Sequence, residues 1–135
     1  MIDTIVVQYI VAGTIAFLIL CNIVLSLNEI ENDTINHIIK KWAYGKYFFI
    51  TFAWGILGGH FFLGTKVPLF GDNWWLPVVL VIVILLALLI IGFKQKDGFV
   101  MEPRLQLLLL VLGVLYGHFF WSQRHLEEIT LPFLN

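Results

Sequence analysis

Four long stretches of the chain carry almost no charged residues, and each is bounded by charged or turn-forming residues. These stretches cover residues 4–27, 47–64, 74–93 and 105–121. A transmembrane helix needs about 20 predominantly apolar residues to cross the roughly 30 Å hydrocarbon core of a bilayer. The pattern therefore predicts an all-α polytopic membrane protein, a bundle of four transmembrane helices in two helical hairpins.

A shorter helical pattern lies between the first two stretches, over residues 34–43. Thr34 and the two residues before it are of the types that cap helix N-termini. Apolar and polar positions then alternate at helical spacing, with Lys40 and Lys41 away from the apolar side. This pattern predicts a short amphipathic helix at the membrane interface. A helix packed beneath the bundle is the alternative interpretation.

The composition supports lipid as the solvent. Hydrophobic residues make up 60% of the 135 residues and charged residues 13%, against roughly half and a quarter in soluble domains. The mean hydropathy of +0.93 is too high for all the apolar surface to be hidden from water. We therefore expect one transmembrane domain over residues 1–135, with a multi-pass location in a membrane.

Basic residues predict the orientation. The first and third connections hold six of the eight basic residues: Lys40, Lys41, Lys46, Lys94, Lys96 and Arg104. Lys66 and Arg124 fall on the other side. Because cytoplasmic connections are enriched in Lys and Arg, both termini are expected on the non-cytoplasmic side. Residues at the two membrane interfaces are then Lys40, Lys41, Trp42, Lys46, Trp74, Trp75 and Trp121.

The chain contains two nearly identical segments on the second and fourth stretches. Residues 55–62 read GILGGHFF and residues 113–120 read GVLYGHFF, so six of eight positions agree at an offset of 58. The offset also pairs Lys46 with Arg104. The two segments therefore lie at the same depth on helices that run in the same direction, as in a parallel repeat about an axis along the membrane normal.

Each segment carries a Gly-xxx-Gly motif: Gly55 with Gly59, and Gly113 with Gly117. Residues four apart share one face of a helix, and small residues there let two helix backbones approach closely in lipid. We expect both motifs to be helix-packing faces, most simply against each other.

His60 and His118 are the candidates for chemistry, because ionisable residues within a membrane span are rare. Two histidines at equal depth could be the axial ligands of a haem b, with the neighbouring glycines leaving room for the macrocycle. The alternative is that both rings are interfacial anchors with a polar tip. Two histidines alone leave zinc under-coordinated, so no metal site is expected.

Three functions remain open at this level. The leading one is a small membrane subunit with a structural or assembly role, packing through the duplicated glycine–histidine faces as a homo-oligomer or within a larger membrane complex. The second is a bis-histidine haem b electron carrier, and the third a holin-like or channel-forming protein. The sequence carries no enzymatic motif, and its mixed charges give no support for nucleic-acid binding.

Overall fold

The computed structural model describes residues 4–28, 30–63, 65, 69–71, 73 and 75–122, and within them it is all-helical. Five helices occur there: α1 (Thr4–Leu27), α2 (Ile35–Tyr44), α3 (Phe49–Phe62), α4 (Trp75–Phe93) and α5 (Pro103–Phe119). Contacts divide the chain into two compact units, residues 1–41 and residues 42–135.

Two helices are long and apolar enough to cross a membrane. They are α1, from Ile5 to Leu27, and α4, from Trp75 to Phe93. The other apolar helices, α3 and α5, have 14 and 17 residues and are shorter than the usual span. Two helices of this kind are consistent with a membrane protein, while four spans remain a prediction.

The first unit holds α1 and a capped turn. The hydroxyls of Thr14 and Ser26 donate to the carbonyls of Ile10 and Ile23 on the same helix. Thr34 Oγ1 accepts a hydrogen bond from the backbone N–H of His37 at 3.3 Å. Thr34 is therefore the N-cap, which places the start of α2 one residue after the predicted position.

The second unit is built from α3, α4 and α5. The carbonyl of Lys46, just before α3, lies against Gly92 near the end of α4. At the opposite end, the Tyr116 hydroxyl donates to the carbonyl of Pro77 at 2.7 Å. The helix α4 is therefore antiparallel to both α3 and α5.

Turn geometry explains where α3 and α5 depart from the predicted bounds. Residues 45–48 form turns, with the N–H of Thr51 bonded to the carbonyl of Phe48 at 3.1 Å, so α3 begins at Phe49. The helix α5 begins two residues early, at Pro103. Proline suits the first helical position because it has no N–H to leave unpaired.

The second unit has an apolar core and, near the start of α5, a buried polar residue. Phe52, Ile56, Val81 and Tyr116 are buried together. Gln106 is 5% exposed, and its side-chain amide bonds both the Thr51 hydroxyl and the Ala43 carbonyl. These bonds satisfy a buried amide that would otherwise destabilise the fold.

An ion pair links the first and third connections. The ammonium of Lys46 lies 2.6 Å from a carboxylate oxygen of Asp97. The N–H of Met101 also bonds the carbonyl of Tyr44 at 2.7 Å. The connections that carry most of the basic residues therefore meet at one end of the second unit.

The Lys46 ammonium lowers the pKa of the Asp97 carboxyl, through a hydrogen bond and its charge. We expect Lys46→Met to return this pKa towards its ordinary value, whereas Lys94→Met leaves it unchanged. The pair's stabilisation is present above the ordinary carboxyl pKa of 3.8 and is lost as pH falls through the lowered value. An NMR titration of the Asp97 carboxyl measures this; equal pKa values in wild type and Lys46→Met would contradict it.

Candidate functional site

The two matching glycine segments lie on α3 and α5 and face each other where these helices meet. A Cβ atom built on Gly55 would lie 3.0 Å from the Cα of Gly113, and one built on Gly113 would lie 3.0 Å from the Cα of Gly55. Real Cβ atoms do not approach backbone this closely without displacement. Glycine is therefore the residue that permits this contact.

The second glycine of each motif meets the next turn of the opposite helix. A Cβ on Gly59 would lie 2.9 Å from the backbone nitrogen of His118 and would overlap the carbonyl oxygen of Val114. A Cβ on Gly117 would lie 2.7 Å from the backbone nitrogen of His60 and would overlap the Ile56 carbonyl. Both motifs thus touch backbone, and the two helices run parallel through the contact.

Each contact has a counterpart with the two helices exchanged. Gly55 meets Leu110, Gly113 and Val114, while Gly113 meets Phe52, Gly55 and Ile56. Every member of the first set is 58 positions from a member of the second. The offset found in the sequence therefore also relates the two sides of the interface.

The histidines bond across the same interface. His60 Nδ1 bonds the carbonyl oxygen of Trp121, and His118 Nδ1 bonds that of Leu63 at 3.0 Å. Because a carbonyl can only accept, the proton of each bond is on Nδ1 and Nε2 of a neutral ring carries the lone pair. Each ring therefore reaches the backbone just beyond the C-terminus of the opposite helix.

Aromatic rings surround the two histidines. The His60 ring stacks on Trp121, with centroids 4.3 Å apart and an interplanar angle of 23°. His118 lies 4.4 Å from the ring of Phe119. The same end of α5 holds the connection after α3, because Ser122 Oγ accepts the N–H of Thr65 at 2.6 Å. Trp121 is thus both a ring partner and a backbone acceptor for His60.

The two segments differ in character at one of their two unmatched positions. Gly58 on α3 corresponds to Tyr116 on α5, and a Cβ on Gly58 would meet nothing within 4 Å. Tyr116 instead packs edge-on to Phe52 and stacks on Phe120 at 5.1 Å. Its hydroxyl also donates to the Pro77 carbonyl, so Tyr116 links α5 to the start of α4.

The other residues predicted to lie at the membrane–water interfaces differ in how exposed they are. Lys40, Lys41 and Trp42 are exposed on α2, Lys46 is half-buried in its ion pair, and Trp75 is exposed at the start of α4. Trp74 lies outside the described residues, as do Lys66 and Arg124.

Sequence reasoning missed Gln106 and Tyr116. Gln106 is the polar residue of an otherwise apolar run, and that isolation was the available signal. Tyr116 was visible only as a mismatch between the two segments. Their partners, Thr51 and the carbonyls of Ala43 and Pro77, become evident only from the packing.

The space that a haem would need beside the glycines is filled by backbone. Gly55, Gly59, Gly113 and Gly117 each contact the opposite helix directly, which leaves no room for a flat macrocycle between the two motifs. Among the described residues, no group of three or more His, Cys, Asp or Glu side chains is placed to hold a metal ion. His60 and His118 therefore offer only their Nε2 atoms to a ligand outside the glycine contact.

Comparison with known proteins finds no family model, no curated protein and no solved structure that matches this chain.

The glycine contact predicts a sharp difference between neighbouring glycines. We expect Gly59→Ala and Gly117→Ala each to lower the free energy of unfolding by about 1–3 kcal/mol, because a methyl group would enter occupied space. Gly58→Ala, next to Gly59 but facing open space, should not destabilise the protein and should raise the free energy of unfolding by up to about 1 kcal/mol, because it removes a glycine from a helix interior. Chemical unfolding in detergent, followed by tryptophan fluorescence, measures the difference. Equal effects at positions 58 and 59 would contradict the packing.

The histidine bonds predict which substitution is tolerated. Asparagine carries an amide nitrogen at about the position of the imidazole Nδ1, so His118→Asn should retain the bond to Leu63. His118→Phe removes the donor and should cost about 0.5–1.5 kcal/mol of stability. The same unfolding assay separates the two variants. Equal destabilisation by His118→Asn and His118→Phe would show that the hydrogen bond to Leu63 is not how the His118 ring stabilises the protein.

Proposed function

We propose that this chain is a small integral membrane subunit with a structural or assembly role, in which α1, α3, α4 and α5 cross the bilayer. The glycine contact between α3 and α5 is the observation that carries the proposal. Close backbone packing through small residues, with large apolar side chains turned outward, is how helices associate in lipid.

Large apolar side chains around the contact point away from it. Trp54 on α3 is 56% exposed, and Leu107 on α5 is 62% exposed. On α4, Val83 and Ile90 are exposed to a similar extent. Covering such surface is favourable by roughly 25 cal/mol per Å², and lipid covers it without a protein partner.

Helix length fits a membrane once the helix ends are included. At 1.5 Å per residue, α3 and α5 are about 21 and 26 Å long, which is shorter than the hydrocarbon core of about 30 Å. The turn before α3 and the extended residue Leu63 after it add length. Local thinning of the bilayer accommodates a remaining difference of a few ångströms.

The polar side chains of the three-helix unit already serve packing. The amide of Gln106 joins α5 to α3 and to the end of α2. Tyr116 joins α5 to α4, and His60 and His118 join α3 and α5 to each other's ends. These groups hold helices together, which favours a structural role over catalysis or electron transfer.

The haem b alternative has weaker support. It needs the space beside the glycines, which the opposite backbone occupies, and it needs rings aimed at a shared iron. The Nδ1 bonds to backbone carbonyls leave each Nε2 free and do not count against this alternative, so the occupied space beside the glycines is the observation that weakens it. An absorption spectrum of the purified protein, oxidised and reduced, with haem supplied during expression, tests this alternative directly.

The proposed orientation follows from the basic connections that meet at one end of the second unit. We place the connections containing Lys46 and Lys96 in the cytoplasm. The connection containing Asn73, and both termini, then lie on the other side, and α2 rests on the cytoplasmic membrane surface.

Cysteine labelling tests membrane insertion and orientation together. In a Cys21→Ser background, Asn73→Cys should react with a membrane-impermeant maleimide in intact cells, whereas Lys96→Cys should react only after permeabilisation. Both variants should stay in the membrane fraction at alkaline pH, because the spans are held by lipid rather than by charge. Release at alkaline pH would contradict the membrane proposal. The reverse labelling pattern would show that the orientation is opposite to the one proposed.

A further inference from the structure

A groove lies within the second unit, between the end of α2 and the first turn of α3. Its volume is about 300 Å³, and it is lined by Trp42, Tyr47, Phe49 and Ile50. This volume is at the lower end of the range for sites that bind small molecules. Because the lining side chains are aromatic or aliphatic, the groove suits an apolar occupant.

Aromatic contacts form one wall of the groove and join it to α4. The Tyr47 ring packs at a tilt against Trp42, with centroids 6.0 Å apart, and edge-on to Phe93 at 5.8 Å. Phe93 is the last residue of α4, and its side chain is exposed. Trp and Tyr concentrate at the level of lipid headgroups. The groove therefore begins with side chains that are typical of a membrane interface.

Basic side chains exceed acidic ones at this end of the second unit. Both carboxylates there are already paired, Asp97 with Lys46 at 2.6 Å and Glu102 with Arg104 at 3.8 Å. Two further basic residues are exposed and form no ion pair among the described residues, namely Lys94 and Lys96. Lys94 directly follows Phe93 in the chain. Two uncompensated positive charges thus accompany the aromatic wall.

We propose that the groove binds an acyl chain of an anionic phospholipid from the surrounding leaflet, whose phosphate pairs with the ammonium groups of Lys94 and Lys96. The acyl chain passes Tyr47 and lies against Phe49 and Ile50, in the first turn of α3. An apolar groove together with unpaired cations favours a ligand that has one apolar and one anionic end, which is the chemistry of an anionic lipid. This site rests on the proposed membrane function and names a ligand for it.

Native mass spectrometry of the full chain in mild detergent tests the charge requirement. Phosphatidylglycerol and phosphatidylcholine with the same acyl chains are titrated separately, and we expect one molecule of phosphatidylglycerol to bind in preference. The double variant Lys94→Gln, Lys96→Gln should raise its dissociation constant roughly ten- to thirty-fold, the loss expected for two lysines at a membrane surface.

A matched control removes the same charge elsewhere. Lys66→Gln, Arg124→Gln alters the connection and the tail predicted for the other side of the membrane, and it should leave the dissociation constant unchanged. Equal constants for the wild type and both double variants would overturn the proposed contact with the phosphate.

A larger side chain in the groove tests where the acyl chain lies. Ile50→Trp should raise the dissociation constant roughly tenfold or more, because burying two or three methylene groups contributes about that factor. Ile82→Trp, at an exposed position on α4, should leave it unchanged. Binding unaffected by Ile50→Trp would overturn the groove as the site. The lysine variants alter only exposed side chains, so they test the proposal even if Ile50→Trp does not fold.

Alkaline extraction from phosphatidylcholine vesicles that contain phosphatidylglycerol separates failure of the lipid site from failure of the membrane proposal. If the chain stays inserted but binds both lipids equally, the lipid site is wrong and the membrane subunit stands. If the chain is extracted, the membrane proposal and the lipid site both fail. Retention together with selective binding that depends on Lys94 and Lys96 supports both.

Discussion

The backbones of α3 and α5 approach each other too closely for any side chain to lie between them at four glycines. This contact constrains much of the second unit. It makes the two helices parallel, so the chain must return through α4 before α5 can begin. It also sets their relative register, which brings Lys46 near Asp97 at one end and each histidine beside the opposite helix end.

The glycine contact between α3 and α5 is small in area. Polar groups at its two ends add hydrogen bonds that also join the helices. At one end, Gln106 bonds Thr51 and the Ala43 carbonyl. At the other, the two imidazoles bond carbonyls that lie beyond the last turns, where a helix leaves acceptors without intrahelical donors. Hydrogen bonds gain strength where the dielectric constant is low, so a few such bonds can restrain the helices against sliding and rotation.

The hydropathy pattern predicted the bounds of α1 and α4 closely, because a uniform apolar run with clear breaks at both ends leaves few choices for where the helix begins and ends. It was less accurate for α3 and α5, whose starts depend on the turn at residues 45–48 and on Pro103. The matching segments indicated that the glycines lie at one depth on parallel helices. They could not indicate that the imidazoles bond Leu63 and Trp121, because spacing gives depth and says nothing of which atoms meet. Gln106 and Tyr116 act through partners distant in sequence.

Assembly with other chains has to use a surface that the fold has not already used. The four glycines are occupied within the chain, so the motif most suggestive of helix association in the sequence is not available to a partner. Large apolar side chains on α3, α4 and α5, among them Trp54, Val83 and Leu107, remain exposed. Assembly with a partner would then use these apolar surfaces, while the glycines hold the chain's own helices together.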